Sequence, residues 1–270
     1  MNPAAALPVG PRTAAVLALV SVVGVLAFGW PLLVSSGARL AGTESAPVLL
    51  GAVLAAALLV VGVALGDGGL DVKAVAVLGL LTGVGAVLRP LSAGTAGVEL
   101  VFLVIVLGGR ALGPGFGFVL GTTTLLTSAL LTGGVGPWLP YQMLGAAWIG
   151  LGAGLLPRRL RGRGEVVMLA AYGVVAAFAF GLAMNLSFWP FQLGLGTGLS
   201  FVAGDPVGAN LHRFLVYCAA SSLGWDVGRA VTTAVGLALV AGPGLRALRR
   251  TATRASFGPR TPLTGDTPTS

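Results

Sequence analysis

Asp226 and Arg229 are charged residues in a largely apolar stretch of the chain, so their side chains need a partner or a function. They are three positions apart, so both lie on one face of a helix. We place them near the middle of a predicted membrane span, where an isolated charge is costly. The spacing favours a structural ion pair that fixes helix packing, and a ligand or gating contact is the alternative interpretation.

Other polar and aromatic residues are concentrated near the predicted outer ends of several helices. Aromatic rings favour membrane interfaces, which accounts for some of them without a ligand. Gln142 and Asn185 lie a turn deeper and need hydrogen-bond partners. Together these side chains predict a pocket for a small, partly aromatic or amphiphilic ligand. The residues that we assign to substrate binding are Arg89, Glu99, Trp138, Tyr141, Gln142, Asn185, Trp189, Asn210 and Tyr217.

Motifs for common catalytic chemistries are absent from the sequence. The one lysine, Lys73, lies outside any Gly-x4-Gly-Lys-Ser/Thr motif, which excludes ATP hydrolysis by a P-loop. The one histidine, His212, lies at a predicted helix end, and no Gly-x-Ser-x-Gly motif supplies a nucleophile. The single cysteine, Cys218, has no partner for a disulfide or a metal pair. We therefore expect no enzyme activity, no metal and no cofactor.

Small residues recur at helical spacing in three stripes. The stripes are Ala76, Gly79, Gly83 and Ala86; Gly113, Gly117 and Gly121; and Ala146, Gly150 and Gly154. Helices in lipid associate through such residues because small side chains let two backbones approach closely. We expect most of them to serve internal packing, and one stripe to be a candidate docking face for a partner subunit.

The composition indicates where these elements lie. Of the 270 residues, 56% are apolar and only 9% are charged, whereas an average soluble domain has about 25% charged residues. Such a chain cannot cover its surface with polar groups, so its apolar surface faces lipid. The composition excludes a soluble enzyme, a nucleic-acid-binding domain and a disordered chain. The apolar runs are continuous rather than alternating, which favours an all-α integral membrane protein.

The apolar runs predict about eight transmembrane helices. A bilayer core about 30 Å thick needs about 20 helical residues, and Pro and Gly residues mark the joins between runs. The first run is too long for the apolar core of a cleaved signal, so we predict a retained helix. The predicted spans are 14–36, 47–66, 72–89, 97–111, 115–133, 137–156, 166–189 and 212–240.

Basic residues predict the orientation of these spans. With an even number of spans both termini lie on one side, and twelve of the Lys and Arg residues fall on that side against three on the other. The positive-inside rule then places both termini in the cytoplasm, with residues 1–13 as a short N-terminus. Residues 251–270 are rich in Thr, Pro and Arg and predict a disordered cytoplasmic tail.

Two motifs in the stretch 100–156 suggest a family. Gly-Pro-x-Phe-Gly-Phe-x-x-Gly occupies 113–121, and Gly-Pro-Trp-x-Pro-Tyr-Gln-Met occupies 136–143. Later segments agree with them, namely Tyr172, Gly-Leu-x-Met-Asn-Leu at 181–186 and Ser-Ser-Leu-Gly-Trp-Asp at 221–226. The chain resembles the substrate-specific (S) component of energy-coupling factor (ECF) vitamin transporters. Within that family it is most similar to the cobalamin and corrinoid type of high-GC bacteria.

The resemblance implies a fold and a mechanism. It implies a six-helix substrate-binding core at about 72–240, preceded by two additional helices within 14–66. Such a subunit captures a vitamin at the outer face of the bacterial cytoplasmic membrane and associates with a transmembrane scaffold protein and two ATPases. The first core helix of the family carries small residues against the scaffold, which assigns partner docking to Ala76, Gly79, Gly83 and Ala86.

Two other functions compete with this interpretation. A stand-alone proton-coupled transporter would use Asp226 and Arg229 for coupling, and it would transport without partner proteins. An intramembrane enzyme or assembly protein would depend on His212. No nucleic-acid partner is expected, since the basic bias follows from membrane orientation alone.

Overall fold

A computed structural model describes residues 6–7, 9–33, 46–66, 71–92, 96–192 and 197–255. Within these residues the chain forms helices and no strands, which confirms the predicted all-α class. The helices are α1 (Pro11–Phe28), α2 (Trp30–Leu33), α3 (Ala46–Gly66), α4 (Val72–Ser92), α5 (Val101–Leu112), α6 (Pro114–Thr132), α7 (Leu139–Leu155), α8 (Arg163–Gln192), α9 (Val207–Ser221) and α10 (Leu223–Ala255). The predicted tail lies outside the described residues from 256 onward, and its first five residues continue α10.

Five of the described helices are long and apolar enough to cross a membrane. They are Pro11–Phe28, Val72–Ser92, Pro114–Thr132, Arg163–Phe191 and Leu223–Thr253. Val48–Val63 and Val101–Leu112 are shorter apolar helices. Many leucines and valines on these helices point outward and are exposed, which suits a lipid environment. The chain is therefore a multi-pass membrane protein.

The predicted span 212–240 is wrong, because the structure divides it into α9 and α10 at Ser222. Ser222 has φ −121° and ψ −13°, and its N–H donates to the Cys218 carbonyl at the end of α9. The next helix starts from the same residue, since the Asp226 N–H donates to the Ser222 carbonyl at 2.9 Å. Asp226 therefore lies in the first turn of α10 and not in the middle of one continuous helix.

Helices α6 and α7 pack with their backbones in contact. A Cβ atom on Gly117 would meet the backbone carbonyl of Gly150, and one on Gly121 would meet the carbonyl of Ala146. Glycine is required at such sites because any side chain would push the helices apart. Two of the three small-residue stripes therefore form one internal interface.

Helix α5 is too short to match its neighbours, and this creates a step inside the bundle. Its 12 residues span about 18 Å, against a bilayer core of about 30 Å. Val101, its first residue, lies level with Thr124, because both pack beside Gly85. Thr124 precedes the last residue of α6, Thr132, by eight positions, so α5 begins about 12 Å below the end of α6.

The opposite end of α5 is fixed by a buried cluster of charges. Arg110 Nε donates to Glu165 Oε1 at 2.6 Å, and its other nitrogens donate to the carbonyls of Leu156 and Pro157 at 2.8 and 3.1 Å. Arg249 of α10 donates to both oxygens of Glu165, at 2.6 and 3.0 Å. The cluster therefore joins α5, the α7–α8 connection, α8 and α10. The positive-inside rule accounts for these arginines only as signals of orientation and does not predict the cluster.

Candidate functional site

A cavity of about 510 Å³ lies in the step above α5. Its wall comes from the end of α4, residues 97–99, the last turns of α6, the α6–α7 connection and the first turns of α10. The volume falls within the range of small-molecule sites, about 300–1,000 Å³. Backbone outside a helix is tolerated at membrane depth only where it is buried in protein or lines a cavity. The 96–100 segment meets that condition, which makes the cavity the candidate site.

Two glycines hold the 96–100 segment against α10. A Cβ atom on Gly97 would overlap the backbone of Trp225, and one on Gly228 would meet the carbonyl of Ala96. Gly97 has φ +80°, and Ala96 beside it has φ +44°, a conformation that L-residues adopt at a cost. This close contact places Glu99, two residues beyond Gly97, beside the first turns of α10.

Arg229 is a neutralised cation in the cavity wall. Its Nη1 donates to Asp226 Oδ1 at 2.6 Å, so the two residues form an ion pair. Its guanidinium carbon lies 5.5 Å from the centre of the Phe180 ring. Gly181 makes room for the carboxylate of Asp226, which a Cβ atom there would overlap. Arg229 Nε is buried without a hydrogen-bond partner.

Asn185 lies behind the cavity and not in its lining. Its Nδ2 donates to Ser222 Oγ at 2.6 Å. Ser222 Oγ lies 3.1 Å from the Cys218 carbonyl and 3.4 Å from Asp226 Oδ2, and its one proton is shared between these two acceptors. Asn185 is therefore an indirect contact, because it reaches the cavity only through the ion pair of Arg229. The same hydrogen bonds connect the α9–α10 break to the cavity wall.

Arg89 and Glu99 carry opposite charges in one wall, and they form no ion pair with each other. Arg89 Nη2 donates to Gln142 Oε1 at 2.9 Å, and no carboxylate among the described residues pairs with it. The Glu99 carboxylate has no hydrogen-bond partner in the described part of the chain. Both side chains can therefore bind a ligand without first breaking an internal bond.

The cavity lining also contains hydroxyl and indole groups. Ser128 is 0% exposed, and its Oγ has no hydrogen-bond partner. Thr132, one turn further along α6, donates to the carbonyl of Ser128 at 2.8 Å. Trp138 and Trp225 are 46% and 48% exposed and complete the wall. Among the described residues, the cavity lining contains no histidine and no cysteine.

The cavity brings together only some of the residues that the sequence assigned to substrate binding. Arg89, Glu99 and Trp138 line it, and Gln142 is bonded to Arg89. Tyr141 is fully buried elsewhere, with its ring against Phe28 and Phe188 at centroid distances of 5.3 and 5.2 Å. The assignment of Tyr141 to the ligand is therefore not supported, because α1 and α8 cover its ring.

Trp189, Asn210 and Tyr217 lie in a separate cluster at the end of α8. Trp189 donates to the Leu199 carbonyl at 2.8 Å, and Asn210 accepts from and donates to the backbone of Val202 at 3.1 and 2.8 Å. Tyr217 packs into the same apolar cluster. These three side chains stabilise the connection between α8 and α9 and do not line the cavity.

Three of the hydroxyl and indole residues in the cavity lining were not predicted from the sequence. Ser128 and Thr132 follow Thr124 at four-residue spacing on a membrane helix, a polar stripe that could have indicated them. Trp225 directly precedes Asp226, but its place in the wall depends on the break at Ser222. The segment around the break, Ser-Ser-Leu-Gly at 221–224, does not by itself end a helix.

The small-residue stripe on α4 differs from the other two stripes. Ala76, Gly79 and Gly83 are exposed, and a Cβ atom on either glycine would meet nothing within 4 Å. Ala86 is 0% exposed and belongs to the internal packing of the bundle. The assignment of Ala86 to partner docking is therefore wrong in this structure, because neighbouring helices already cover it.

A comparison with known protein families identifies the family of this chain. The model of the family "ECF transporter, substrate-specific component" matches residues 73–239, more than half of the chain. The chain is a member of the ECF S-component family. This family comprises transporter components and not enzymes, so it implies a small-molecule substrate, a separate scaffold protein and ATPase partners. No curated protein and no solved structure matches the S component significantly.

Proposed function

We propose that this S component captures a vitamin from the outer face of the membrane and delivers it to a separate scaffold protein with two ATPases. The observation that supports this function best is the cavity, whose lining residues all fall within the region that matches the family. Its lining offers two guanidinium groups, a carboxylate and hydroxyl groups. These groups can bind a small molecule without transforming it.

We further propose a bacterial cytoplasmic membrane with both termini in the cytoplasm. The cavity lies at one end of α5 and α10, and exposed arginines lie at the other end of the bundle. Arg158, Arg159 and Arg161 are exposed in the α7–α8 connection, and Arg246 and Arg250 are exposed on α10. The positive-inside rule places that end in the cytoplasm, so the cavity faces outward.

The chain is proposed to divide into a six-helix core at 72–240 and two additional membrane helices within 14–66. Helices α1 and α3 pack on each other and on α7 through an apolar cluster that contains Leu17, Leu54 and Leu144. Gly24 of α1 admits Leu144, which a Cβ atom at that position would overlap. This packing supports a role of the additional helices as a fixed support for the core.

Transport by reconstituted vesicles tests the function. Vesicles that contain the chain together with its scaffold and ATPases should take up vitamin when ATP is present on the ATPase side. Vesicles with the chain alone should not do so, even under a pH gradient. Uptake by the chain alone that follows the pH gradient would instead support a proton-coupled transporter in which Asp226 and Arg229 serve coupling.

The exposed part of the α4 stripe is proposed to contact the scaffold protein. Gly79→Leu with Gly83→Leu should abolish uptake and leave vitamin binding unchanged, since both positions open onto the surface. Gly62→Leu is a matched control, because Gly62 on α3 is also exposed and has open space around it. Unchanged uptake by the α4 variant, or an equal loss in the control, would contradict docking through this face.

Cobalamin or a related corrinoid is the vitamin that the sequence resemblance implies, and we retain it as one candidate substrate. The cavity volume supports a smaller ligand. A corrinoid combines a macrocycle, amide side chains and an axial nucleotide, and it is much larger than a single fused ring system. Titration of the purified chain with cobalamin and with smaller vitamins distinguishes a corrinoid from a smaller ligand.

A further inference from the structure

Two guanidinium groups and one carboxylate line the cavity, and one of the guanidinium groups, that of Arg229, is already paired. Arg229 is neutralised by Asp226 at 2.6 Å. Arg89 and Glu99 lie in the same wall and contribute one positive and one negative charge. A ligand with a net charge would leave one of these groups uncompensated inside the protein, which is costly. The balance therefore favours a ligand without net charge.

Arg89 and Glu99 also determine which hydrogen-bonding groups the ligand must present to the cavity wall. Arg89 has N–H groups beyond the one bonded to Gln142, and these need an acceptor. The Glu99 carboxylate only accepts when it is ionised, so it needs a donor. An N–H group next to a carbonyl oxygen satisfies both residues. This arrangement is typical of the edge of a nitrogen heterocycle.

The tryptophans of the cavity differ from the other tryptophans of the chain. Trp30, Trp148 and Trp189 each pack against phenylalanine rings. Trp138 and Trp225 have no aromatic partner among the described residues and are about half exposed. Position at a membrane interface accounts for exposed indole rings, but it does not account for two of them in the wall of one cavity. Planar rings stack favourably on such surfaces.

Two buried polar atoms of the lining lack partners. Ser128 Oγ and Arg229 Nε are both inaccessible and form no hydrogen bond with described residues. A buried polar group without a partner is costly, so groups of this kind need an explanation. Ser128 is fully buried and lines the cavity. Because this hydroxyl group is inaccessible, we do not count it among the contacts of a bound molecule.

Resting on the proposed function, we infer that the ligand is an uncharged planar nitrogen heterocycle. Its ring lies against Trp138 and Trp225, and its N–H and carbonyl edge lies against Glu99 and Arg89. Riboflavin has these properties, since its imide edge carries an N–H group between two carbonyl oxygens. Thiamine has two aromatic rings joined by a methylene group and is cationic, and cobalamin is uncharged but bulky. The three vitamins therefore differ in both shape and charge.

The test is titration of the detergent-purified full chain with riboflavin, thiamine and cobalamin by calorimetry and by quenching of flavin fluorescence. We expect riboflavin to bind most tightly and its fluorescence to be quenched by stacking. Riboflavin methylated at the imide nitrogen should bind roughly 10- to 100-fold more weakly, because it cannot donate to the carboxylate. This comparison uses the unaltered protein and is independent of any effect of a mutation on folding.

Glu99→Ala should weaken riboflavin binding by a similar factor and should remove the discrimination against the methylated analogue. Asp205→Ala is the matched control, because Asp205 pairs with Arg213 outside the cavity lining. Tighter binding of thiamine or cobalamin than riboflavin would overturn the inference and leave the binding function intact. Equal riboflavin affinity in Glu99→Ala and the unaltered protein would do the same. Failure of all three vitamins to bind would contradict the proposed function itself.

Discussion

The charge cluster at the end of α5 opposite the cavity gives a sharp prediction, because its three members differ in burial. Arg110 and Glu165 are each 3% exposed in their side chains, and Arg249 is 40% exposed. Glu165→Ala removes the one carboxylate of the cluster and leaves the Arg110 guanidinium buried without a counter-charge. Arg249→Ala removes the exposed partner and leaves the buried pair of Arg110 and Glu165 in place.

These differences set the expected magnitudes. Removing one partner of a buried ion pair costs about 3–5 kcal/mol of the free energy of unfolding, whereas an exposed pair contributes about 0–1 kcal/mol. For a domain of this size, Glu165→Ala should lower the melting temperature by on the order of 10 °C. Arg249→Ala should lower it by a few degrees at most. The double variant Arg110→Met with Glu165→Leu should recover much of the loss, since no buried charge remains.

Thermal unfolding of each purified variant in one detergent, at equal protein concentration, measures this ranking. The reasoning is refuted if Glu165→Ala melts no lower than Arg249→Ala, or if the double variant melts below Glu165→Ala. Vitamin binding at the other end of the bundle supplies a second measurement. A variant that binds vitamin at low temperature is folded, so its lower melting temperature reports stability and not misfolding.

Three further predictions concern positions at which the presence or absence of a Cβ atom matters. Gly150→Ala places a methyl group against the backbone of α6 and should destabilise the protein by about 1–3 kcal/mol, whereas Gly79→Ala has open space and should melt like the unaltered protein. Equal melting of the two variants would contradict backbone contact between α6 and α7. Gly97→Ala should lower both the melting temperature and vitamin affinity, because it combines a left-handed φ with overlap on α10. Ala96→Gly, which relieves a left-handed φ, should melt at or above the unaltered protein, and a lower value would contradict the described conformation.

Much of the fold could be predicted from the sequence, because composition and helical spacing act locally. Because few residues are charged, much of the protein surface must be apolar and face lipid. Because the apolar runs are continuous, the spans must be helices. The spacing of Gly117, Gly121 and Gly150 indicated close helix contacts. The break at Ser222 could not be predicted, since a serine fits within a helix and no Pro or Gly interrupts the run at that residue. The break places Asp226 in the first turn of a helix and not in the middle of one continuous helix.

The candidate site was only partly predictable, because position along a helix does not determine which face a side chain occupies. Arg89, Glu99 and Trp138 were assigned by their place near helix ends, and they meet in one cavity. Tyr141 and Trp189 satisfied the same criterion and are instead packed against phenylalanines. The cavity itself follows from the short α5, whose consequences depend on the length and level of its neighbours. Tertiary packing therefore decides which polar residues face a ligand.

Native mass spectrometry of the detergent-purified chain measures directly whether it binds a vitamin. One small molecule should be bound per chain and should be identified as a vitamin, with the bound fraction reduced in Glu99→Ala and unchanged in Asp205→Ala. A chain that carries no small molecule, and that acquires none after incubation with riboflavin, thiamine or cobalamin, would contradict its assignment as a vitamin-binding subunit.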